Sequence, residues 1–217
     1  MPATDATQQR LLQAAGEVFA EKGFQAATVR EICARAEVNN IAAVNYYFGD
    51  KESLYEEALR AAASCGLSGS LPLEWPASAP PALRLQMLIR GLIEKVVLSD
   101  VDRPRWHMQL MMRELSQPSA AGVRFVREFI RPVYEQLWSI LREVLPKDTP
   151  EKQLHLVAFS IVGQCLYHRL ARPVIQLLVG EGEQRSYTAH VLSEHIIGFS
   201  CRALGLQPVH SGEEVAP

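Results

Sequence analysis

Residues 28–55 constrain the fold most, because their apolar spacing predicts two short helices separated by a tight polar turn. The first helix carries apolar side chains on one face, at Val29, Ile32, Cys33 and Ala36. Thr28 can cap this helix, and Glu31 three residues later completes a capping box. Asn39 and Asn40 favour a turn and a new helix start, because their side chains can bond nearby backbone N–H groups.

The second helix is predicted from Ile41 to Tyr47, and its two faces differ in chemistry. Val44, Tyr47 and Phe48 can pack inward. The outward side chains are Ala42, Ala43, Asn45 and Tyr46. Alanines allow close approach to the major groove of DNA, an asparagine can pair bidentately with adenine, and tyrosine hydroxyls can bond phosphates. Two short helices joined by a tight turn form a helix-turn-helix, whose second helix can enter the major groove.

The break Gly49-Asp50 predicts a third helix start, with Lys51 in its first turn. The helix dipole disfavours a cation at that position. A nearby phosphate would remove this penalty, so Lys51 is a candidate contact to the DNA backbone. The full set of predicted DNA-binding residues is Thr28, Arg30, Asn40, Ala42, Ala43, Asn45, Tyr46, Tyr47 and Lys51.

These residues resemble the TetR family of bacterial repressors. The resemblance is carried by Phe19 and Gly23-Phe24 in AEKGFQAATVREIC, by the helix pair, and by the run NYYFGDKESLY. The turn AEVNN is one residue longer than the usual form of the family and lacks its common glycine. The runs ARPVI and MMRELSQPSAA are similar to a CecR-like subgroup within that family.

The charge balance argues against nucleic-acid binding. The formal net charge is -2, and six basic side chains face nine acidic ones in the first 64 residues. A DNA-binding protein usually has a basic footprint. The predicted interface therefore needs a local patch from Arg30 and Lys51, with Arg10 and Lys22 as further candidates, doubled in a dimer.

The run GLSGSLPLEWPASAPP, residues 66–81, predicts a domain boundary, because glycine, serine and proline interrupt it. We therefore predict a helix-turn-helix DNA-binding domain over residues 1–65 and a helical effector-binding and dimerisation domain over residues 66–217. From Ala82 onward every pattern is helical. The predicted fold class is all-α, with a three-helix helix-turn-helix domain, a C-terminal helical domain and about nine helices in total.

Two late helices, in residues 156–170 and 191–204, are apolar on more than one face. A helix that is apolar all round must be buried on all sides, which predicts a homodimer. The resemblance implies the same, because dimers of the family pair their last two long helices into a four-helix bundle. The predicted interface residues are Phe159, Ile161, Val162, Leu166, Val191, Leu192, His195, Ile197 and Phe199.

A methionine-rich cluster at residues 106–113 allows two interpretations. It can be a core stripe, or it can be one wall of an effector pocket, because methionines adapt to irregular apolar ligands. The candidate ligand-binding residues are Trp106, His107, Met108, Met111, Met112, Tyr134, Trp138, Phe159 and Tyr167.

Catalytic and metal-binding motifs are missing from the sequence. There is no H-E-x-x-H, phosphate-binding loop or nucleophile elbow, and the cysteines are scattered. We therefore expect no enzyme activity, no metal and no other cofactor. The N-terminus lacks the apolar core of a signal peptide and no run of 18 apolar residues occurs, so a cytoplasmic protein without a membrane span is expected.

These patterns together favour a ligand-responsive transcriptional regulator, and specifically a repressor. It would bind a palindromic double-stranded DNA operator as a homodimer and be released by a small-molecule effector. The alternative is a helical small-molecule-binding or interaction protein without sequence-specific DNA binding.

Overall fold

The computed structural model describes residues 3–66, 74–76, 78–97 and 104–208, and these ranges form helices without a strand. The predicted all-α fold class is confirmed. The α-helices are α1 (Ala3–Ala26), α2 (Val29–Arg35), α3 (Ala42–Phe48), α4 (Lys51–Gly66), α5 (Pro81–Leu92), α6 (Arg105–Ser116), α7 (Ala120–Phe125), α8 (Arg131–Val144), α9 (Glu151–Leu170), α10 (Arg172–Val179), α11 (Glu181–Ser186) and α12 (Ala189–Ala203).

Two π-helical turns continue these helices, at Ile93–Val97 after α5 and at Val126–Ile130 between α7 and α8. When a run that continues through a π turn is counted once, the described ranges hold 11 helices. The sequence predicted about nine. The two additional helices are the short α10 and α11, which lie between the two helices predicted to dimerise.

The chain divides into two compact units, and the division differs from the boundary predicted between residues 65 and 66. One unit contains α1–α4 together with α6 and α7, and the other contains α5 and α8–α12. Helices α6 and α7 join the first unit because α6 packs on α1 and α4, and α7 packs on α4. The chain first passes from one unit to the other after Gly69, within the run 66–81 that predicts a boundary, and residues 102–130 belong to the first unit again.

In the first unit, aromatic side chains fill the space between α1, α4 and α6. The ring of Phe19 meets the ring of Tyr55 edge to face, with centroids 4.7 Å apart. Trp106 of α6 packs against Gly16 of α1, where any side chain would collide with the indole ring. Its indole N–H donates to Oε1 of Gln13 at 3.0 Å. These contacts fix α6 on the N-terminal helices.

In the second unit, α5 packs on α8 and α12, and α9 packs on α8 and on the π turn after α5. The buried residues include three that were predicted at a dimer interface. Ile161, Leu192 and Ile197 are only 4%, 4% and 2% exposed within a single chain. These three side chains already lie in the core of one chain, so they leave little surface for a partner chain to cover. No helix in the described ranges is long and apolar enough to cross a membrane.

Candidate nucleic-acid interface

Helix α2 begins with the capping box that the sequence predicts. The backbone N–H of Glu31 donates to Oγ1 of Thr28 at 3.2 Å, and the Thr28 hydroxyl donates to the Glu31 carboxylate at 3.2 Å. The first of these bonds satisfies the N–H of Glu31, which has no intrahelical partner, and the second holds the two side chains together. The cap fixes where α2 starts, and it leaves Thr28 and Arg30 exposed.

The turn after α2 is a Schellman motif without a glycine. The N–H of Val38 donates to the carbonyl of Cys33 at 2.9 Å, and the N–H of Glu37 donates to the carbonyl of Ala34 at 3.2 Å. Glu37 has a φ of 55°, in the left-handed region where glycine is usual. The glycine missing from this turn is thus replaced by a residue held in a costly backbone conformation.

Helix α3 starts at a second side-chain cap. Oδ1 of Asn40 accepts the backbone N–H of Ala42 at 2.9 Å, in the role that the sequence predicts for Asn40. Val44 is fully buried, whereas Asn45 is exposed and Tyr46 is 77% exposed. Tyr47 and Phe48, which were expected to pack inward, are half-buried. The short helix is anchored through one face and presents the other to solvent.

Helix α4 begins beside this exposed face. Oδ1 of Asp50 accepts the N–H of Ser53 at 2.7 Å, and this bond lowers the pKa of the Asp50 carboxyl. The ammonium of Lys51 lies 4.6 Å from the ring centroid of Phe24. A cation over an aromatic face is stabilised, which offsets its unfavourable place in the first helical turn. Sequence reasoning noticed Phe24 but did not predict that it supports Lys51.

Ion pairs neutralise several of the acidic residues that made the charge balance unfavourable. Lys22 pairs with Glu31, and the bond from Lys22 lowers the pKa of the Glu31 carboxyl. Arg35 pairs with Glu21 at 2.8 Å and lowers its pKa in the same way. Lys22 is thus held in an ion pair within the protein, which makes it a weaker candidate for a contact to DNA. Arg30 is exposed and makes no ion pair within the part of the chain that the structure describes, so Arg30 and Lys51 are the stronger cationic candidates.

Two neighbouring side chains of α6 hold the N-terminal helices in place. The buried carboxylate of Glu114 accepts a bond from the Tyr55 hydroxyl of α4, and it accepts the N–H and hydroxyl of Ser119 at 2.8 and 3.0 Å. Burial, followed by this bond to the carboxylate, raises the pKa of Tyr55. Arg113 covers Gly23, where φ is 77° and a side chain would collide with the guanidinium group. The sequence did not predict either contact.

The structure places all nine predicted DNA-binding residues in the first unit, and none of them is buried. The exposed members are Thr28, Arg30, Asn40, Ala42, Asn45 and Tyr46, and the half-buried members are Ala43, Tyr47 and Lys51. Whether they contact DNA remains a prediction, but their accessibility is compatible with it.

The nine candidate ligand-binding residues divide between the two units. Trp106, His107, Met108 and Met111 are buried in the first unit, in agreement with the core interpretation of this cluster, and Met112 is half-buried beside them. In the second unit, Tyr134, Trp138 and Phe159 form an aromatic stack with His155, while Tyr167 is exposed on α9. The described residues contain no cluster of three or more potential metal ligands.

The predicted dimer surface also divides into core and accessible residues. Its accessible members are Phe159, Val162, Leu166, Val191, His195 and Phe199. The structure adds exposed apolar side chains that the sequence analysis did not select, at Leu156, Leu170, Val174, Leu177, Leu178 and Val179. Four of these additional residues lie on α10, and Leu177 is 87% exposed. The exposed apolar surface therefore extends over more of the second unit than predicted.

Comparison with known proteins gives matches to both parts of the chain. Residues 81–204 match the family described as HTH-type transcriptional dual regulator CecR, C-terminal domain, and residues 11–58 match the family described as bacterial regulatory proteins, tetR family. The HTH-type transcriptional dual regulator CecR of Shigella flexneri is 27% identical over 184 residues, covering 79% of each chain.

Two further matches agree with these. The HTH-type transcriptional regulator BetI of Proteus mirabilis strain HI4320 is 28% identical over 170 residues, which are 78% of this chain and 83% of BetI. The crystal structure of a HlyIIR mutant superposes with a TM-score of 0.59 at 24% identity, covering 89% of this chain and 96% of that one. This structural likeness supports the fold alone.

Proposed function

Because this chain belongs to the TetR family of bacterial regulatory proteins and is a transcriptional regulator, we propose that it represses its target genes as a homodimer. In this proposal the α3 helices of two protomers enter successive major grooves of a palindromic operator. A small-molecule effector then releases the dimer from DNA.

The observation that carries this proposal is the division of α3 into a buried and an exposed face. Val44 anchors the helix, while Asn45 and the small side chain of Ala42 are exposed three residues apart, as neighbours on the helix surface. Asn45 can pair with an adenine edge, and Ala42 can approach a thymine methyl group. An exposed helix face with this chemistry matches what base recognition in the major groove requires.

Backbone contacts would come from the ends of α2 and α4. Arg30 and Lys51 are accessible cations there, and the helix dipole at the start of α4 adds positive potential for a phosphate. The hydroxyls of Tyr46 and Tyr47 can donate to further phosphate oxygens. These contacts would position the protein without selecting a sequence.

Dimerisation is supported by the apolar side chains that α9 and α12 leave exposed. Phe159 on α9 and Phe199 on α12 are 60% and 51% exposed. A second copy of the chain can cover large exposed apolar side chains such as these through a two-fold interface. We therefore retain Phe159, Val191 and Phe199 as interface residues and exclude the three buried ones.

Effector release requires a ligand that binds two conformations of the protein with different affinity. Helix α6 is suited to take part, because Glu114 and Arg113 contact α4 and the end of α1 within the first unit. A shift of α6 would therefore disturb the helices that support α3.

The direction of regulation and the alternative function can both be tested. Selection on random duplexes at modest salt should enrich a palindromic site, and failure to enrich any site would favour the alternative of a helical binding protein without sequence-specific DNA recognition. Because CecR of Shigella flexneri is named a dual regulator, transcription from the selected site should then be measured with and without the protein. Increased transcription would contradict the repressor role.

A further inference from the structure

Ile41, directly before α3, is an exposed apolar side chain for which the sequence predicted no role in binding. Among residues 28–55, all of which the structure describes, Ile41 and Tyr46 are the two exposed large apolar side chains, and Ile41 is 51% exposed. The ring of Tyr46 packs edge to face on that of Tyr47, and its hydroxyl can bond a phosphate. Ile41 has no polar atom in its side chain. Single exposed apolar residues are common on protein surfaces, so the position of Ile41 decides what it can do.

The turn before α3 holds Ile41 in a helical conformation. Its φ is −60° and its ψ is −29°, and its carbonyl accepts the N–H of Val44 at 3.3 Å. Asn40 fixes this turn from the other side, because its Oδ1 accepts the N–H of Ala42 at 2.9 Å and its carbonyl accepts the N–H of Ala43 at 3.0 Å. Ile41 therefore extends the surface of α3 by one residue on an ordered backbone.

Ile41 lies on the side of the helix that is proposed to recognise bases. It precedes Asn45 by four residues, and residues at this spacing are neighbours on a helix surface. The exposed Ala42 follows Ile41 directly and is itself three residues from Asn45. In a helix-turn-helix, the first residues of the second helix are the ones that contact base edges in the major groove. Ile41, Ala42 and Asn45 therefore form one continuous surface at the part of α3 that base contact requires.

The side chain of Ile41 suits one base in particular. In the major groove, thymine presents an apolar C5-methyl group, whereas the other distinguishing groups are hydrogen-bond donors and acceptors. Isoleucine is branched at Cβ and restricted at χ1, so it loses little freedom when it contacts a methyl group. Four residues of helix rise by about 6 Å, and successive base pairs are about 3.4 Å apart. A thymine that Ile41 contacts should therefore lie within about two base pairs of the base that Asn45 contacts.

We propose that Ile41 is a specificity-determining residue, which selects thymine by contact with its C5-methyl group close to the adenine read by Asn45. This inference rests on the proposed function, because it requires α3 to lie in the major groove of an operator. It goes further by assigning a second base of the half-site and a residue outside the nine predicted DNA-binding residues.

The first test changes the DNA and leaves the full-length protein unaltered. In a selected operator, each thymine is replaced in turn by deoxyuridine, which lacks only the C5-methyl group and pairs in the same way. We expect replacement of one thymine, within two base pairs of the position at which Asn45→Ala relaxes discrimination, to weaken binding about fourfold. This is the effect of one methyl group that loses its apolar contact. If no replacement within that distance weakens binding, the proposal is overturned.

The second test assigns the methyl contact to Ile41. Ile41→Ala should bind the thymine and deoxyuridine operators with equal affinity, because no side chain remains to contact the methyl group, and Ile41→Val should keep part of the fourfold difference. Val123→Ala is the matched control, because Val123 is a branched apolar residue of the first unit that is 54% exposed on α7. It should leave the fourfold difference unchanged. Circular dichroism of each variant checks that the fold is retained.

The role of Ile41 and the proposed function would fail in different ways. A selected operator that depends on Asn45, but whose sensitivity to deoxyuridine is the same for Ile41→Ala as for the original chain, would overturn the role of Ile41 and leave the proposed function intact. Enrichment of no operator would overturn both, because the thymine contact requires α3 in the major groove.

Discussion

Helices α3 and α9 each bury one face, but they leave different chemistry exposed. In α3 the exposed side chains are Ala42, Asn45 and Tyr46, and Ala42 and Asn45 are neighbours on the helix surface at a spacing of three residues. In α9 the exposed face includes the apolar side chains Leu156, Phe159, Tyr167 and Leu170. A polar face is solvated at no cost when its partner is absent, whereas an apolar face favours permanent cover. The exposed polar face of α3 is therefore suited to a ligand that binds reversibly, and the exposed apolar face of α9 is suited to a second protein chain.

The largest expected effect separates core from surface along α9. Ile161→Glu should destabilise the fold by about 3–5 kcal/mol, because it buries an unpaired charge. Phe159→Glu, two residues away on the exposed face, should lower the thermal unfolding temperature much less than Ile161→Glu does, and it should give monomers. Circular dichroism and light scattering measure the two properties. A folded monomer from Ile161→Glu, with an unaffected dimer from Phe159→Glu, would reverse the two assignments.

The difference between the two helices also explains why burial could be predicted from the sequence for α3 but not for α9. In α3 the large apolar Val44 lies among the small or polar residues Ala42, Ala43 and Asn45, so both its buried side and its exposed side could be predicted. In α9 and α12 apolar residues occur on every face, so periodicity could not distinguish Ile161 or Ile197 in the core from Phe159 at the surface. That distinction depends on which neighbours the fold supplies.

Contacts between residues that are distant in the chain could not be predicted from the sequence pattern either. The caps at Thr28 and Asn40 were predictable because they involve residues two or three positions apart. The bond from Tyr55 to Glu114 joins residues 59 positions apart, and no local pattern signals it. Helices α10 and α11 were not predicted for a related reason, because they are too short to show a clear apolar period.

A second prediction tests whether the exposed face of α3 recognises bases. Asn45→Ala should cost about 1–3 kcal/mol on the best operator and relax discrimination at one base position, because a bidentate contact to adenine is lost. Asn39→Ala, an exposed asparagine in the preceding turn, is the control and should change neither property. Repeating the duplex selection with both variants measures the effect. An unchanged base preference for Asn45→Ala would exclude it from base recognition.

A third prediction concerns Lys51, which is expected to contact a phosphate and lies over Phe24. Lys51→Ala should weaken all sequences alike and lower the slope of log affinity against log salt by about one unit. It should also cost about 0.5–1 kcal/mol of folding stability, because the cation–π contact is lost. Lys147→Ala, at an exposed lysine of the second unit, should leave the slope unchanged. A slope that Lys51→Ala does not alter would show that Lys51 serves only the packing on Phe24.

The smallest expected effect tests the turn that holds α3 relative to α2. Glu37 adopts a φ of 55°, which costs a residue with a side chain more than it costs glycine. Glu37→Gly should therefore stabilise the protein by about 0.5–1 kcal/mol, and Glu37→Asn should give part of this gain because asparagine tolerates the left-handed region. Glu37→Ala removes the same charge without relieving the backbone, so it should give no gain. If alanine stabilises as much as glycine, the cause is the carboxylate and its charge, and the turn between α2 and α3 is not strained.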